Sequence, residues 1–600
     1  ADLDLAASEG LRDIKFWVQW RVSHPESDTF WYDDVDRLMD MAADHGLRVT
    51  LNIIYDVVPQ WILDRYPENR MVRQTGEILR PAADASRQIG GANALCLNHC
   101  ESRELRHEFT RQTVCRYRGH PALSMWDVWN EPEQCMPLRE PRLENLVCYC
   151  AACQYLFREW LRGKYGDLAR LNRVWGRYER SWDEVSPPLS CTCHMDMIDW
   201  RLFMLDTITC EAQWRINVVR ALDPLHPTYC HVVPFIAGES WGLNQITCCD
   251  DFALGTQGDV FAGSVNLFPV QPVKIVSAAR GRVCYNVESH VNAGSTASHP
   301  QPLTSERLRR EFLAQIGLGI RGFMFWQFRA ESLGMEAPAW GLLDPGGKPR
   351  LALGAAADFG VNLEPWTKAI LSAPPPEPRV GIYLSAANEI FHWNTGRLGE
   401  YRRHIEGYSV FLYRNNVPFC YVTPHHLAED LQGLDVLIIP ALYACTVAEA
   451  ATMGEWVGAG GVLVAEAHTA AYNLDTGRHE GDLPGLGLAD RFGILEAEAL
   501  AQGTAAGVRS PDGPALNGAS SSELLVALNG RLNPEAVPLT LSDGRIGVGV
   551  RCSASVVSAR GTTLARFQDG LPALVRTAVG HGTVIYAGTY IGADLATPAN

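Results

Sequence analysis

Six hundred residues, 47% hydrophobic, 20% charged and 9% aromatic, make an ordinary globular composition with material for two to four domains. A net charge of −16 and no long run of Lys or Arg argue against a nucleic-acid backbone or a membrane surface as partner; a neutral small molecule suits the chain better. No run of 18 apolar residues predicts a membrane span, ADLDLAASEG has no signal-peptide pattern, and seventeen scattered cysteines point to a reduced, cytoplasmic protein.

The chain opens without Met inside a helix-like pattern, so preceding residues are expected. Strand-like runs then alternate with amphipathic helix patterns: IKFWVQW (14–20), LRVTLNII (47–54), LSMWDVW (123–129), PTYCHVVPF (227–235), DVFAGSVNLF (259–268), GRVCYNVES (281–289) and RGFMFWQF (321–328). Helices such as YDDVDRLMDMAADHGL and SERLRREFLAQIGLG lie between them, the second ending in cap glycines. Repeated β-α units over more than 300 residues favour a (β/α)8 TIM barrel across 1–371; seven strands are visible, and the missing N-terminal residues would supply the eighth. The Pro-rich SAPPPEPR (372–379) marks a boundary. VGIYLS, VPFCYVT, LDVLIIP and GGVLVAE, interleaved with helices, then predict a smaller flavodoxin-like α/β domain over 377–510. SELLVAL, RIGVGVRC and TVIYAGTY make 511–600 a β-rich remainder of that domain, and the abrupt ATPAN suggests that more chain follows.

The stretch WDVWNEPE places Asn130 and Glu131 after a continuously apolar run, where α/β folds keep their chemistry. Pro132 stops the ladder and biases Glu131 toward an extended conformation. Trp126 and Trp129 offer aromatic walls of the kind a sugar ring stacks on, and an apolar setting that would raise the Glu131 pKa. Glycoside hydrolysis by two carboxyl groups asks for a second strand-end carboxylate, and Glu288 in CYNVESH supplies it. Glu336 follows a third aromatic strand, with Trp326, Arg329 and Trp340 around it as a prospective substrate wall.

Cys148, Cys150 and Cys153 form C-x-C-x-x-C, and Cys96 or Cys100 could add a fourth thiolate, with His99 and His194 as other candidate ligands. Four sulfurs suit tetrahedral zinc with no open position, a structural site. No phosphate-cradling glycine loop, G-x-S-x-G elbow or HExxH is present, so no organic cofactor is expected.

These residues resemble the retaining glycosidases on (β/α)8 barrels and, more narrowly, glycoside hydrolase family 42, mostly β-galactosidases. The likeness is carried by FWYDDVDRLMDMAADHGLRVTL, by Pro59, Gln60 and Trp61 followed by RYPE, by CYCAACQYLFREWLRGKYGDLARLNRVWG, and by QFR with Glu336 seven residues after Arg329. The resemblance implies that Glu131 is the acid/base, Glu288 the nucleophile, Glu336 a sugar-hydroxyl ligand and Asn130 the partner of the sugar 2-hydroxyl. It implies further that Cys96, Cys148, Cys150 and Cys153 hold zinc with Cys100 a bystander, that the substrate is a glycoside or oligosaccharide, and that the second domain makes a homotrimer. The chain departs from the family pattern at Pro132, where a Tyr is usual, at Ala92, in the place of an Arg, and at Trp340, in the place of a His. β-Glucoside, β-mannoside and α-L-arabinopyranoside therefore stand as alternative substrates, and a sugar-binding protein without turnover as an alternative class.

Overall fold

The computed structural model describes residues 1–79, 95–134, 146–191, 193–234, 249–265, 268–290, 303–333, 337–501, 536–550, 552–558 and 560–596. Seven parallel strands form one curled sheet in chain order: β1 (Asp13–Gln19), β2 (Arg48–Ile54), β3 (Leu123–Asn130), β4 (Thr228–Val232), β5 (Val260–Gly263), β6 (Val283–His290) and β7 (Ile320–Trp326). All seven coincide with the runs read from the sequence. Their near-continuous apolar character follows from burial on both faces, between a helix layer outside and an inner cluster of Met125, Tyr229, Val260, Tyr285, Val287 and Met324. Gly322 is required in that interior, since a Cβ there would lie 2.7 Å from the Tyr285 ring.

Among the described residues no ladder joins β7 to β1. Side chains span the gap: Trp17 of β1 stacks on Trp326 of β7 with centroids 5.6 Å apart. The opening helix Asp2–Ser8 closes the same seam, with Leu5 and Leu11 packed against the cluster that includes Phe323 and Phe325. Helix Ser305–Leu318 ends at Gly319 in the left-handed conformation that its cap pattern predicts.

Beyond residue 379, Phe419–Val422, Val380–Tyr383, Val436–Ile439, Val462–Ala465 and Gly582–Ala587 run parallel, in the spatial order 2-1-3-4-5 of a flavodoxin-like sheet. Four antiparallel strands continue the sheet from Gly582–Ala587, so the C-terminal β segment is hydrogen-bonded into the α/β unit. SELLVAL lies outside the described residues. The second unit is tied to the barrel by His425 on Asp250 at 2.7 Å and by Arg478 donating to the carbonyls of Arg173 and Val174. No described helix is long and apolar enough to cross a membrane.

Candidate active site

The carboxyl end of β3 carries Asn130 and Glu131, but the two tryptophans before them do not face a pocket. Trp126 is fully buried and donates its indole N–H to Asp223 at 2.8 Å. Trp129 is equally buried, with the Arg215 guanidinium 3.6 Å from its ring centroid. Both point into the helix layer, where replacement of such a side chain by Ala typically costs about 3–5 kcal/mol. They anchor the strand, and the expectation that they form the sugar-stacking wall is overturned. On a strand covered on both faces, apolar character does not distinguish the barrel interior from the helix side.

Glu131 also departs from the extended conformation expected before Pro132: its φ is +51°. The left-handed region is costly for a residue with a Cβ, and it persists here because the Glu131 amide donates to the carbonyl of His231 on β4 at 2.8 Å. The turn carries the half-buried carboxylate off the end of the ladder.

The inner faces of β1, β3 and β4 meet at Lys15. Its ammonium lies 2.6 Å from Asp127 Oδ2, 3.2 Å from Asn130 Oδ1 and 3.2 Å from His231 Nδ1. Burial pushes the Asp127 carboxyl up, and Lys15 opposes it. The other ring nitrogen of His231 is 2.9 Å from Ser264 Oγ on the segment after β5 and 3.8 Å from Glu288 Oε2 on β6. His290 approaches the second oxygen of Glu288 at 3.0 Å. Burial alone would raise the Glu288 carboxyl; the His290 hydrogen bond and the positive charge contributed by His290 and Lys15 outweigh it and hold the carboxyl down, to about 2. An ionised carboxylate at the end of β6 is the state a nucleophile needs.

Trp340 stacks on His290 with centroids 4.6 Å apart, and Trp326 is the register partner of His290 across β6 and β7. Both indoles, half-buried, are thus gathered beside Glu288. Arg329 is not: its guanidinium pairs with Asp2, Nε donating to Oδ2 at 2.8 Å, and ties the opening helix to the exit of β7. Its expected place in the substrate wall is corrected on that ground. Glu336 lies outside the described residues.

Cys96, Cys148, Cys150 and Cys153 come together with all four sulfurs within 4.8 Å of one another, every one buried. Cys96 Sγ is 3.3 Å from Cys153 Sγ and 3.5 Å from Cys150 Sγ. Tetrahedral zinc with arms of about 2.3 Å needs sulfurs about 3.8 Å apart, so the cage has nearly the right size. The amides of Val72 and Asn98, and the Asn98 side chain, donate to these sulfurs as outer partners of thiolate ligands do. Contact with Cys148 and the other sulfurs holds Cys150 down and pushes Cys153 up, and contact with Cys148 and Cys150 pushes Cys96 up. A dication would let all four ionise. Cys100 is exposed, and His194 instead meets Asn394 of the second unit at 2.9 Å.

Sequence reasoning missed Lys15, Asp127, His231, Ser264 and His290. A lysine inside IKFWVQW, an aspartate inside MWDVW and a histidine inside YCHVV each break an apolar strand, and His290 follows Glu288 by two residues, the spacing that shares a strand face. Those are the signals that could have found them.

A family model described as "Beta-galactosidase" matches residues 14–365, and a second, described as "Beta-galactosidase trimerisation domain", matches 385–536. Beta-galactosidase bgaB of Geobacillus kaustophilus is 24% identical over 523 residues, covering 83% of this chain and 72% of that protein. Among solved structures, a beta-galactosidase from Bacillus circulans sp. alkalophilus superposes with a TM-score of 0.79 at 18% identity, over 99% of this chain and 84% of that one. A beta-galactosidase from the haloarchaeon Halorubrum lacusprofundi does so at 0.78 and 18%, over 99% and 85%.

Proposed function

The chain belongs to glycoside hydrolase family 42, and from that membership we propose that it hydrolyses terminal, non-reducing β-D-galactosides with retention, using Glu131 as acid/base and Glu288 as nucleophile. The observation that carries the assignment is His231, whose carbonyl holds the Glu131 backbone while its ring lies 3.8 Å from Glu288. One residue of β4 thereby ties the backbone of Glu131 to the side chain of Glu288.

In the first step Glu131 gives its proton to the glycosidic oxygen as the Glu288 carboxylate attacks the anomeric carbon; the C–O bond to the leaving alcohol breaks and a glycosyl ester forms. Glu131, now a base, takes a proton from water, whose oxygen displaces Glu288 from the same carbon and restores both carboxyl groups. Two inversions give retention, a mechanism that works with the carboxyls about 5–5.5 Å apart. Asn130 serves the 2-hydroxyl, and Trp326 and Trp340 offer stacking surface. Zinc on Cys96, Cys148, Cys150 and Cys153 has a structural role, and the second unit assembles a homotrimer; the "trimerisation domain" description of the matching model supports the latter.

The test is Glu288→Ala on an activated aryl β-galactoside. Turnover is lost and azide restores it with inverted product; rescue with retained product, or undiminished turnover, removes Glu288 from the role. A panel of nitrophenyl galactoside, glucoside, mannoside and α-L-arabinopyranoside separates the sugars, and binding without turnover on all of them points to a sugar-binding protein.

A further inference from the structure

We propose that Lys15 is a positioning residue for sugar recognition, its ammonium orienting the Asn130 amide so that the NH2 group is presented to the substrate's 2-hydroxyl. The inference rests on the reading of this pocket as a galactoside site. An ammonium donates and never accepts. The atom of Asn130 that meets Lys15 at 3.2 Å is therefore Oδ1, and the two amide N–H donors are left for the sugar. The same logic fixes His231: its Nδ1, 3.2 Å from the ammonium, must carry the lone pair, so the proton sits on Nε2, facing Ser264 Oγ at 2.9 Å and the edge of Glu288.

Lys15 cannot easily turn away. Its charge is paired with Asp127 Oδ2 at 2.6 Å, the Asp127 side chain is fully buried, and the Lys15 side chain itself is 14% exposed. Three strands are thus joined through one cation that donates to two acceptors at the site and is ion-paired with the buried carboxylate between them. Without that cation the amide could present either end to the hydroxyl, and His231 could exchange tautomers.

The decisive comparison is Lys15→Met, which keeps length and removes the donors. In the wild type and the variant, kcat/KM is measured on nitrophenyl β-D-galactoside and on its 2-deoxy counterpart, and calorimetry follows binding of D-galactose and 2-deoxy-D-galactose. The preference for the 2-hydroxyl falls by about tenfold or more in the variant, in rate and in binding. A general loosening of the barrel lowers both substrates together and leaves the ratio alone. Should a stranded Asp127 prevent folding, Lys15→Met combined with Asp127→Asn leaves no unpaired buried charge and is expected to lose the same preference. A variant that keeps the wild-type ratio, whatever its absolute rate, overturns the proposal. A wild type that turns over galactosides without distinguishing the 2-deoxy form overturns it too and leaves the proposed function standing, whereas a wild type that neither binds nor cleaves any galactoside removes both.

Discussion

The amide of Glu131 donates to the carbonyl oxygen of His231 at 2.8 Å, and the Glu131 backbone sits at φ +51°. The strand end is held by its neighbour in a conformation its own side chain disfavours. Glycine adopts that conformation without the Cβ penalty. Glu131→Gly is therefore expected to melt at the same temperature as the wild type or slightly higher, a gain of up to about 1 kcal/mol. The same variant should lose roughly 10²- to 10⁴-fold in turnover of substrates with poor leaving groups. Thermal melting and kinetics on one preparation check both halves; a clear drop in stability would mean that the carboxylate itself holds the turn.

Glu288 keeps its charge through the hydrogen bond that His290 donates to it. Burial raises this carboxyl, and the His290 hydrogen bond with the positive charge of His290 and Lys15 brings it to about 2. A depressed carboxyl stabilises the fold above its ordinary value near 4.3, and that contribution persists until the pH falls toward 2. His290→Gln removes the principal lowering interaction and leaves the burial. The acid limb of kcat/KM is then expected about one pH unit higher or more, and acid unfolding should begin at a correspondingly higher pH. An unmoved limb would show that Glu288 is held ionised by something other than His290.

The cysteine cage predicts metal content. Protein purified without chelator should carry about one zinc per chain. Cys153→Ser should lose it and melt several degrees lower, a cost of about 2 kcal/mol or more. Cys100→Ser, altering an exposed thiol outside the cage, should change neither quantity. Metal-free protein with an ordinary melting curve would refute the structural role.

Behind β3, Glu211 accepts from Arg215 at 3.0 Å and pairs with Arg106 at 2.8 Å, all three buried, and Arg215 covers Trp129. Removing the one carboxylate leaves two guanidinium groups without their counter-charge. Glu211→Gln is expected to cost about 3–5 kcal/mol, read from the melting temperature. Because Trp129 precedes Asn130 and Glu131, residual activity below the melting transition should fall as well.

Much of this was legible beforehand. All seven barrel strands were visible as apolar runs between amphipathic helices, because burial on both faces leaves a compositional mark that needs no partner to be read. Glu131 and Glu288 stood out as carboxylates at the ends of such runs. The cysteine cluster was legible in three of its members from spacing alone, with Cys96 and Cys100 equivalent until the chain folds. The misjudged residues have two causes. Trp126 and Trp129 lie on a strand whose two faces are both apolar, and Arg329 found its partner in Asp2, 327 residues away, which no local pattern announces.

The amino-acid sequence by itself determined the order of strands and helices, the family and the two strand-end carboxylates, since these depend on periodicity and on local breaks in it. Only the tertiary structure decided which side of β3 faces the barrel interior, that Glu131 turns left-handed against His231, that His290 faces Glu288 and that Lys15 joins β1, β3 and β4. The reason is physical: orientation and charge pairing arise between strands distant in the chain, and the free energy that selects them exists only once the sheet has curled and expelled its water.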